Sequence, residues 1–125
     1  MPPPLTPPSA GFFILYKVKP VVYCCGMALT PEKKVKNKVV QILRRMGAYY
    51  FFPATYGMGR SGVPDVIVCY QGRFIGIECK AGKNQPTPLQ LRELGAIETA
   101  GGIPLVIRET NMDELTDALL KAVDA

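Results

Sequence analysis

Two acids and a lysine stand where strands should be apolar. Asp65 follows Val63-Pro64 and opens the run Val66-Ile67-Val68, while Glu78 and Lys80 close a second run, Ile75-Gly76-Ile77-Glu78-Cys79-Lys80. Charge at such positions is costly to bury unless it is paired or coordinated. Gln71-Gly72 lies between the runs and reads as a hairpin turn. A two-residue turn pairs Tyr70 with Arg73 and sets Asp65 directly across from Glu78, where facing Cβ atoms are about 4.5–5.5 Å apart. Lys80, two residues further on, joins that face. A bulge at Gly72 would instead set Asp65 opposite Ile77 and turn Glu78 away, because a one-residue slip inverts the faces of a strand. Taken singly, Asp65 is an ordinary polar strand start after a proline, and Glu78 and Lys80 an ordinary solvent-facing strand end. Gathered on one face, the two carboxylates repel each other unless a cation stands between them, and one lysine relieves this only in part. Oxygen donors without histidine or thiolate suit Mg²⁺ or Mn²⁺ better than zinc.

The elements that must hold these residues are well punctuated. Thr30 is a helix N-cap and Pro31 suits the first helical position; Val35, Val39, Ile42, Leu43 and Met46 then recur at helical spacing until Gly47. Glu32 extends that apolar stripe and should face the sheet, whereas Lys33, Lys34, Lys36 and Lys38 mostly fall off it. Tyr49-Tyr50-Phe51-Phe52 is a short strand candidate ended by Pro53, and its aromatics are expected in the core. Gly57–Gly62 is a glycine-rich loop with Arg60 at its tip; it lacks the Gly-Lys-Ser/Thr ending of a nucleotide-binding P-loop. After the hairpin, Thr87 and Gln90 have capping-box spacing at the start of a second helix that runs to Gly101-Gly102. Residues 103–107 read as a fourth strand, and Asn111 with Glu114 as the cap of a last helix ending near Val123. The order is helix, three strands, helix, strand, helix: an α/β core with a small mixed sheet flanked by helices.

Composition narrows the chemistry. The chain has 125 residues, enough for one core, and no histidine, which removes Ser-His-Asp and Cys-His hydrolases, His-ligated zinc and histidine-based nucleases. The net charge of +5 is uneven: residues 1–62 carry nine Lys/Arg against Glu32 alone, and residues 63–125 carry six against nine acids. Such an asymmetry fits a binder of a phosphate backbone, as it also fits a solvated lysine face. Cys24, Cys25, Cys69 and Cys79 have no C-x-x-C partner and sit in apolar runs, which suits a reducing, cytoplasmic setting and gives no sign of a membrane span or secretory signal. Residues 1–26, with five prolines in the first eight positions, read as an appendage to a domain over 27–125. It is either an over-extended or non-native start or an arm that adds a strand or binds a partner.

Pro64-Asp65, then Glu78-Cys79-Lys80 after a short hairpin, then Gln90 opening the next helix resemble the PD-(D/E)xK nucleases, and most closely their VRR-NUC branch, the virus-type replication-repair nucleases with small stand-alone members in phages and bacteria. The resemblance covers about residues 28–123 and implies a restriction-endonuclease-like core. It implies that Asp65, Glu78 and the Cys79 backbone carbonyl ligate Mg²⁺ or Mn²⁺, with Glu32 assisting directly or through water, that Lys80 positions and deprotonates the attacking water, and that Gln90 orients the water or the lysine. The chain would then be a metal-dependent DNA endonuclease, structure-selective for branched or junction DNA in replication, recombination or repair, and a homodimer. Lys33, Lys34, Lys36, Lys38, Arg60 and Lys83 are the candidate phosphate contacts. A nucleic-acid-binding module of the same fold without turnover is the alternative, and an interaction protein whose acids pair with Lys80 a third reading.

Overall fold

A computed structural model describes residues 29–123. The appendage expected over 1–26 lies outside the described residues. The first helix, α1 (Pro31–Met46), starts where the Thr30 hydroxyl accepts the Lys33 N–H at 3.3 Å and ends at Gly47. It buries Val35, Val39, Val40 and Leu43. Then come β1 (Tyr49–Phe51), β2 (Val66–Tyr70), β3 (Arg73–Cys79), α2 (Pro88–Thr99), β4 (Ile103–Ile107) and α3 (Met112–Val123). This is the expected order. No helix among the described residues is long and apolar enough to cross a membrane.

The sheet order is β1-β2-β3-β4, antiparallel between β1, β2 and β3 and parallel between β3 and β4, with α2 as the crossover. At the β2–β3 turn both Gln71 (φ 51°) and Gly72 (φ 76°) are left-handed, the conformation of the tight hairpin turn whose twist matches its strands. Tyr70 therefore pairs with Arg73 and Val66 with Ile77. The bulged register does not occur, and the ladder continued by one residue sets Asp65 across from Glu78.

Strand alternation then sorts the side chains. Ile75, Ile77 and Cys79 join Val66, Val68 and Ile107 on one face, packed against α1 and against Leu115 and Leu119 of α3. The other face carries Phe74, Gly76, Glu78 and Lys80 and meets α2. There Ile97 presses between two glycines: a Cβ on Gly76 would lie 2.5 Å from Ile97 Cδ1, and one on Gly102 would lie 2.8 Å from Ile97 Cγ2.

Two expectations are corrected. The aromatic run is not core: Tyr49, Phe51 and Phe52 are exposed, and only Tyr50 packs against the apolar cluster. β1 is a three-residue edge strand whose main contacts are with β2, and two of its three side chains are exposed. Nor does the Asn111 side chain cap α3. Its Oδ1 accepts the Arg108 N–H and its Nδ2 donates to the Val106 carbonyl, closing the turn after β4, while Glu114 N–H reaches only the Asn111 backbone carbonyl.

Candidate active site

Glu78 is the centre of the arrangement because β3 carries it into the layer between sheet and α2. The residue is 1% exposed. Its Oε1 accepts from Gln90 Nε2 at 2.8 Å and stands 3.8 Å from Lys80 Nζ, while its Oε2 is buried with no hydrogen-bond partner. Burial pushes the carboxyl up to about 8, and the neighbouring Asp65 carboxylate adds to this; Lys80 opposes it and Glu32 contributes weakly in the same upward sense.

Asp65 is fixed from across the hairpin: its Oδ2 accepts the Cys79 backbone N–H at 2.9 Å. That bond explains how a charged residue can stand immediately before β2. The Cys79 side chain belongs to the opposite, apolar face, where burial pushes the thiol up to about 12 with Asp65 adding to it. The sulfur is therefore a core group and no nucleophile. Lys80 is also buried, and its own N–H donates to the Ile107 carbonyl at 3.0 Å, so β4 holds the end of β3 in place.

Gln90 unites two roles that the sequence offered as alternatives. Its Oε1 accepts the Thr87 N–H at 2.8 Å and its own N–H donates to the Thr87 hydroxyl, a complete capping box, while its Nε2 reaches Glu78. The cap that starts α2 thus fixes the amide pointing at the carboxylate. Glu32 is half-buried at the start of α1, with Oε1 3.4 Å from Asn84 Nδ2. Among the described residues no three Cys, Asp or Glu side chains gather closely enough to hold a metal ion. Glu32 therefore stands at the rim of the pair Asp65–Glu78 and not within one cluster with it.

The donor set nevertheless fits a hard divalent cation. A buried, unpartnered carboxyl oxygen beside a second carboxylate makes ionising both acids costly, a cost that a cation would remove, and oxygen donors are what Mg²⁺ and Mn²⁺ take, with waters completing the shell.

Sequence reasoning missed the braces around this centre. Arg108 and Glu109 follow β4 and clamp the loop after β3: Arg108 donates to the Gly82 and Asn84 carbonyls and to Gln85 Oε1, and Glu109 accepts the Gly82 N–H at 3.0 Å. Their one signal was position, since they leave the end of a strand parallel to β3. Also missed was Glu93, buried on α2 one turn beyond Gln90. Its Oε2 takes Arg60 Nε at 2.8 Å, which holds Glu93 below the usual carboxylate range, and Arg92 Nη2 is 3.6 Å from its Oε1.

The expected phosphate contacts divide accordingly. Lys33, Lys34, Lys38 and Lys83 are exposed; Lys36 is half-buried with its ammonium 4.2 Å from the centre of the Phe52 ring; Arg60 leans back on Glu93. Beside Arg60 an open groove of about 570 Å³ runs over the sheet, with Phe51, Ile67, Phe74 and Ile97 among its lining.

No family model matches the chain. It is 33% identical over 96 residues to "Putative nuclease p44" of Acyrthosiphon pisum secondary endosymbiont phage 1, a match covering 74% of this chain and 99% of that protein. A solved structure described as a VRR_NUC domain superposes with a TM-score of 0.62 at 26% identity, covering 71% of this chain and 97% of the other. The chain belongs to the VRR-NUC family of nucleases. In VRR-NUC terms the fold expected from the Asp65, Glu78-Cys79-Lys80 and Gln90 pattern is the fold found, four mixed strands with three helices.

Proposed function

We propose that this nuclease is a deoxyribonuclease dependent on Mg²⁺ or Mn²⁺ that hydrolyses phosphodiester bonds, with branched or junction DNA as its preferred substrate. The observation that carries the reading is Glu78: buried, one oxygen unpartnered, with Asp65, Lys80 and Gln90 each bearing on it. Asp65, Glu78 and the Cys79 carbonyl would hold the cation, with Glu32 reaching it through water. A bound divalent cation there would acidify a coordinated water and take up charge developing on the scissile phosphate.

The chain's own residues do the rest. Lys80, on the same face and next to Glu78, is placed to orient the attacking water and to take or give its proton. Gln90 holds the Glu78 carboxylate in one rotamer, and the Cys79 N–H does the same for Asp65, so neither acid must reorganise during the reaction. Lys33, Lys34, Lys38 and Lys83 supply exposed positive charge for the backbone. A second copy of the chain would bring two sites to the arms of one junction.

The test is cleavage of labelled duplex, flap and four-way junction DNA with Mn²⁺, Mg²⁺ or chelator. Cleavage that needs the cation and disappears in Asp65→Ala and Glu78→Ala is expected. Full activity in the double variant, or in excess chelator, would overturn the reading. Sedimentation showing only monomer on a junction would remove the two-copy arrangement.

A further inference from the structure

Outside the acidic centre, one group of charges has a construction that a simple surface ion pair lacks. Glu93 is buried to nineteen parts in twenty, and two arginines from different elements converge on it: Arg60 from the glycine loop and Arg92 from α2 itself. Their side chains remain 67% and 62% exposed. Arg60 gives its Nε to Glu93, which leaves both terminal nitrogens to other partners; Arg92 stands at 3.6 Å, too long for a hydrogen bond, so its donors are free as well. Two guanidiniums against one carboxylate leave one positive charge uncompensated, on two largely exposed side chains beside a buried anchor.

The loop is built to hold Arg60 there. Gly57, Gly59 and Gly62 all have left-handed φ, and at Gly62 a Cβ would lie 2.7 Å from the Leu89 backbone carbon, so the loop lies directly on the start of α2. Three residues later the same loop delivers Asp65, and α2 delivers Gln90 one turn before Glu93. The guanidinium pair and the acidic centre therefore share both of their supporting segments. Gln90 and Glu93 differ by about 4.5 Å of helix rise, and phosphates along one DNA strand advance about 3.4 Å along the axis each.

We propose that Arg60 and Arg92, positioned by Glu93, form a binding site for a backbone phosphate of the DNA substrate, flanking the phosphate that is cut. A guanidinium fork matches phosphate oxygens bidentately, and a fixed fork loses less freedom on binding than a free lysine does. The apolar groove floor beside Arg60 strengthens the attraction by excluding water from one side. Arg60 and Arg92 are thus binding residues and Glu93 a positioning residue. The assignment rests on the nucleolytic reading above.

The experiment is equilibrium binding of a fluorescein-labelled 20-base-pair duplex, with Ca²⁺ in place of the cleaving cation, over a range of salt from about 50 to 200 mM, alongside melting temperatures and cleavage. Arg60→Ala and Arg92→Ala should each weaken binding about tenfold at fixed salt and lower the slope of log K against log salt by about 0.9. Arg92→Ala removes no hydrogen bond within the protein and should leave the melting temperature unchanged. Arg92→Lys should restore the slope but only part of the affinity. Glu93→Gln should weaken binding even though it adds a net positive charge, which a purely electrostatic role would not do. An unchanged salt slope in the double arginine variant, with a lowered melting temperature, would show the group to be a loop fastener and overturn the assignment. If at the same time Asp65→Ala abolishes cleavage, the nucleolytic reading stands; wild-type protein that neither binds nor cuts the duplex overturns both.

Discussion

The two faces of the sheet carry opposite solutions to burial. Toward α1 and α3 the sheet presents Val66, Val68, Ile75 and Ile77, each without measurable exposure and each replaceable in principle by another hydrocarbon of similar volume. Toward α2 it presents Glu78 and Lys80, also buried but held beside named partners. The same strand, β3, supplies both sets at alternate positions. Apolar core and charged centre are separated by the pleat, one residue apart, which is how a chain of this size holds such a centre without giving up its core.

That separation can be broken most forcefully by exchanging the readouts. Leu43→Ala on the core face should cost about 2–5 kcal/mol in chemical denaturation, a large share of a small domain's stability, while the folded fraction keeps its specific activity. Lys80→Ala on the other face should lose about 10²–10⁴-fold in single-turnover rate at an unchanged melting temperature. If Lys80→Ala unfolds the protein, or Leu43→Ala disables the folded fraction, the two faces are not independent.

Gln90 is where they meet, and it sharpens the comparison. Gln90→Ala should lose about 1 kcal/mol of stability with the capping box and should also lose rate, because one amide serves both. Gln90→Glu keeps a capping carboxylate but sets a like charge against Glu78; melting should stay near wild type while cleavage falls. Equal retention of both in Gln90→Ala would show that the amide matters to neither.

pH separates the two buried acids of the α2 side. Glu78 is raised from an ordinary carboxyl to about 8, so in chelator the folded state favours its protonated form: its stability should be intact below about pH 4.5 and decline as pH rises toward 8. Glu78→Gln should abolish that decline. Glu93 is lowered by Arg60, the reverse sign, so its contribution is present above the usual carboxyl value and lost as acid protonates it. Glu93→Gln should therefore destabilise at neutral pH and cease to matter in strong acid. Denaturation midpoints across pH 3–9 read both.

The smallest effect on cleavage belongs to Cys79. Its backbone serves Asp65 and its thiol serves the core, so Cys79→Ala should leave rate unchanged and cost about 1 kcal/mol. A rate loss would place the sulfur on the wrong face.

What the sequence disclosed was local. Thr30, Thr87 and the Gln71-Gly72 turn act within three or four residues, and the turn alone decided whether Asp65 would face Glu78. What it concealed depended on distant segments. Arg60 looked like a free cation because its partner is 33 residues away, and Arg108 and Glu109 gave no sign of gripping a loop 26 and 27 residues upstream. The run Tyr49–Phe52 looked like core because hydrophobicity says what a side chain prefers, not what packs against it; this edge strand leans mainly on β2 and leaves Tyr49, Phe51 and Phe52 exposed.

The seat of Ile97 between Gly76 and Gly102 amounts to a gauge. At Gly102 an added methyl would meet not only Ile97 but the backbone oxygens of Phe74 and Ile97, at 3.1 and 3.2 Å, and these cannot swing aside. The helix would have to ride higher. The bond from Gln90 to Glu78 spans 2.8 Å and is lost beyond about 3.5 Å, a tolerance narrower than the methyl itself. The reach of the amide is thus metered at Gly102, twelve residues along the chain from Gln90, and alanine there would detune the centre without altering a single one of its residues.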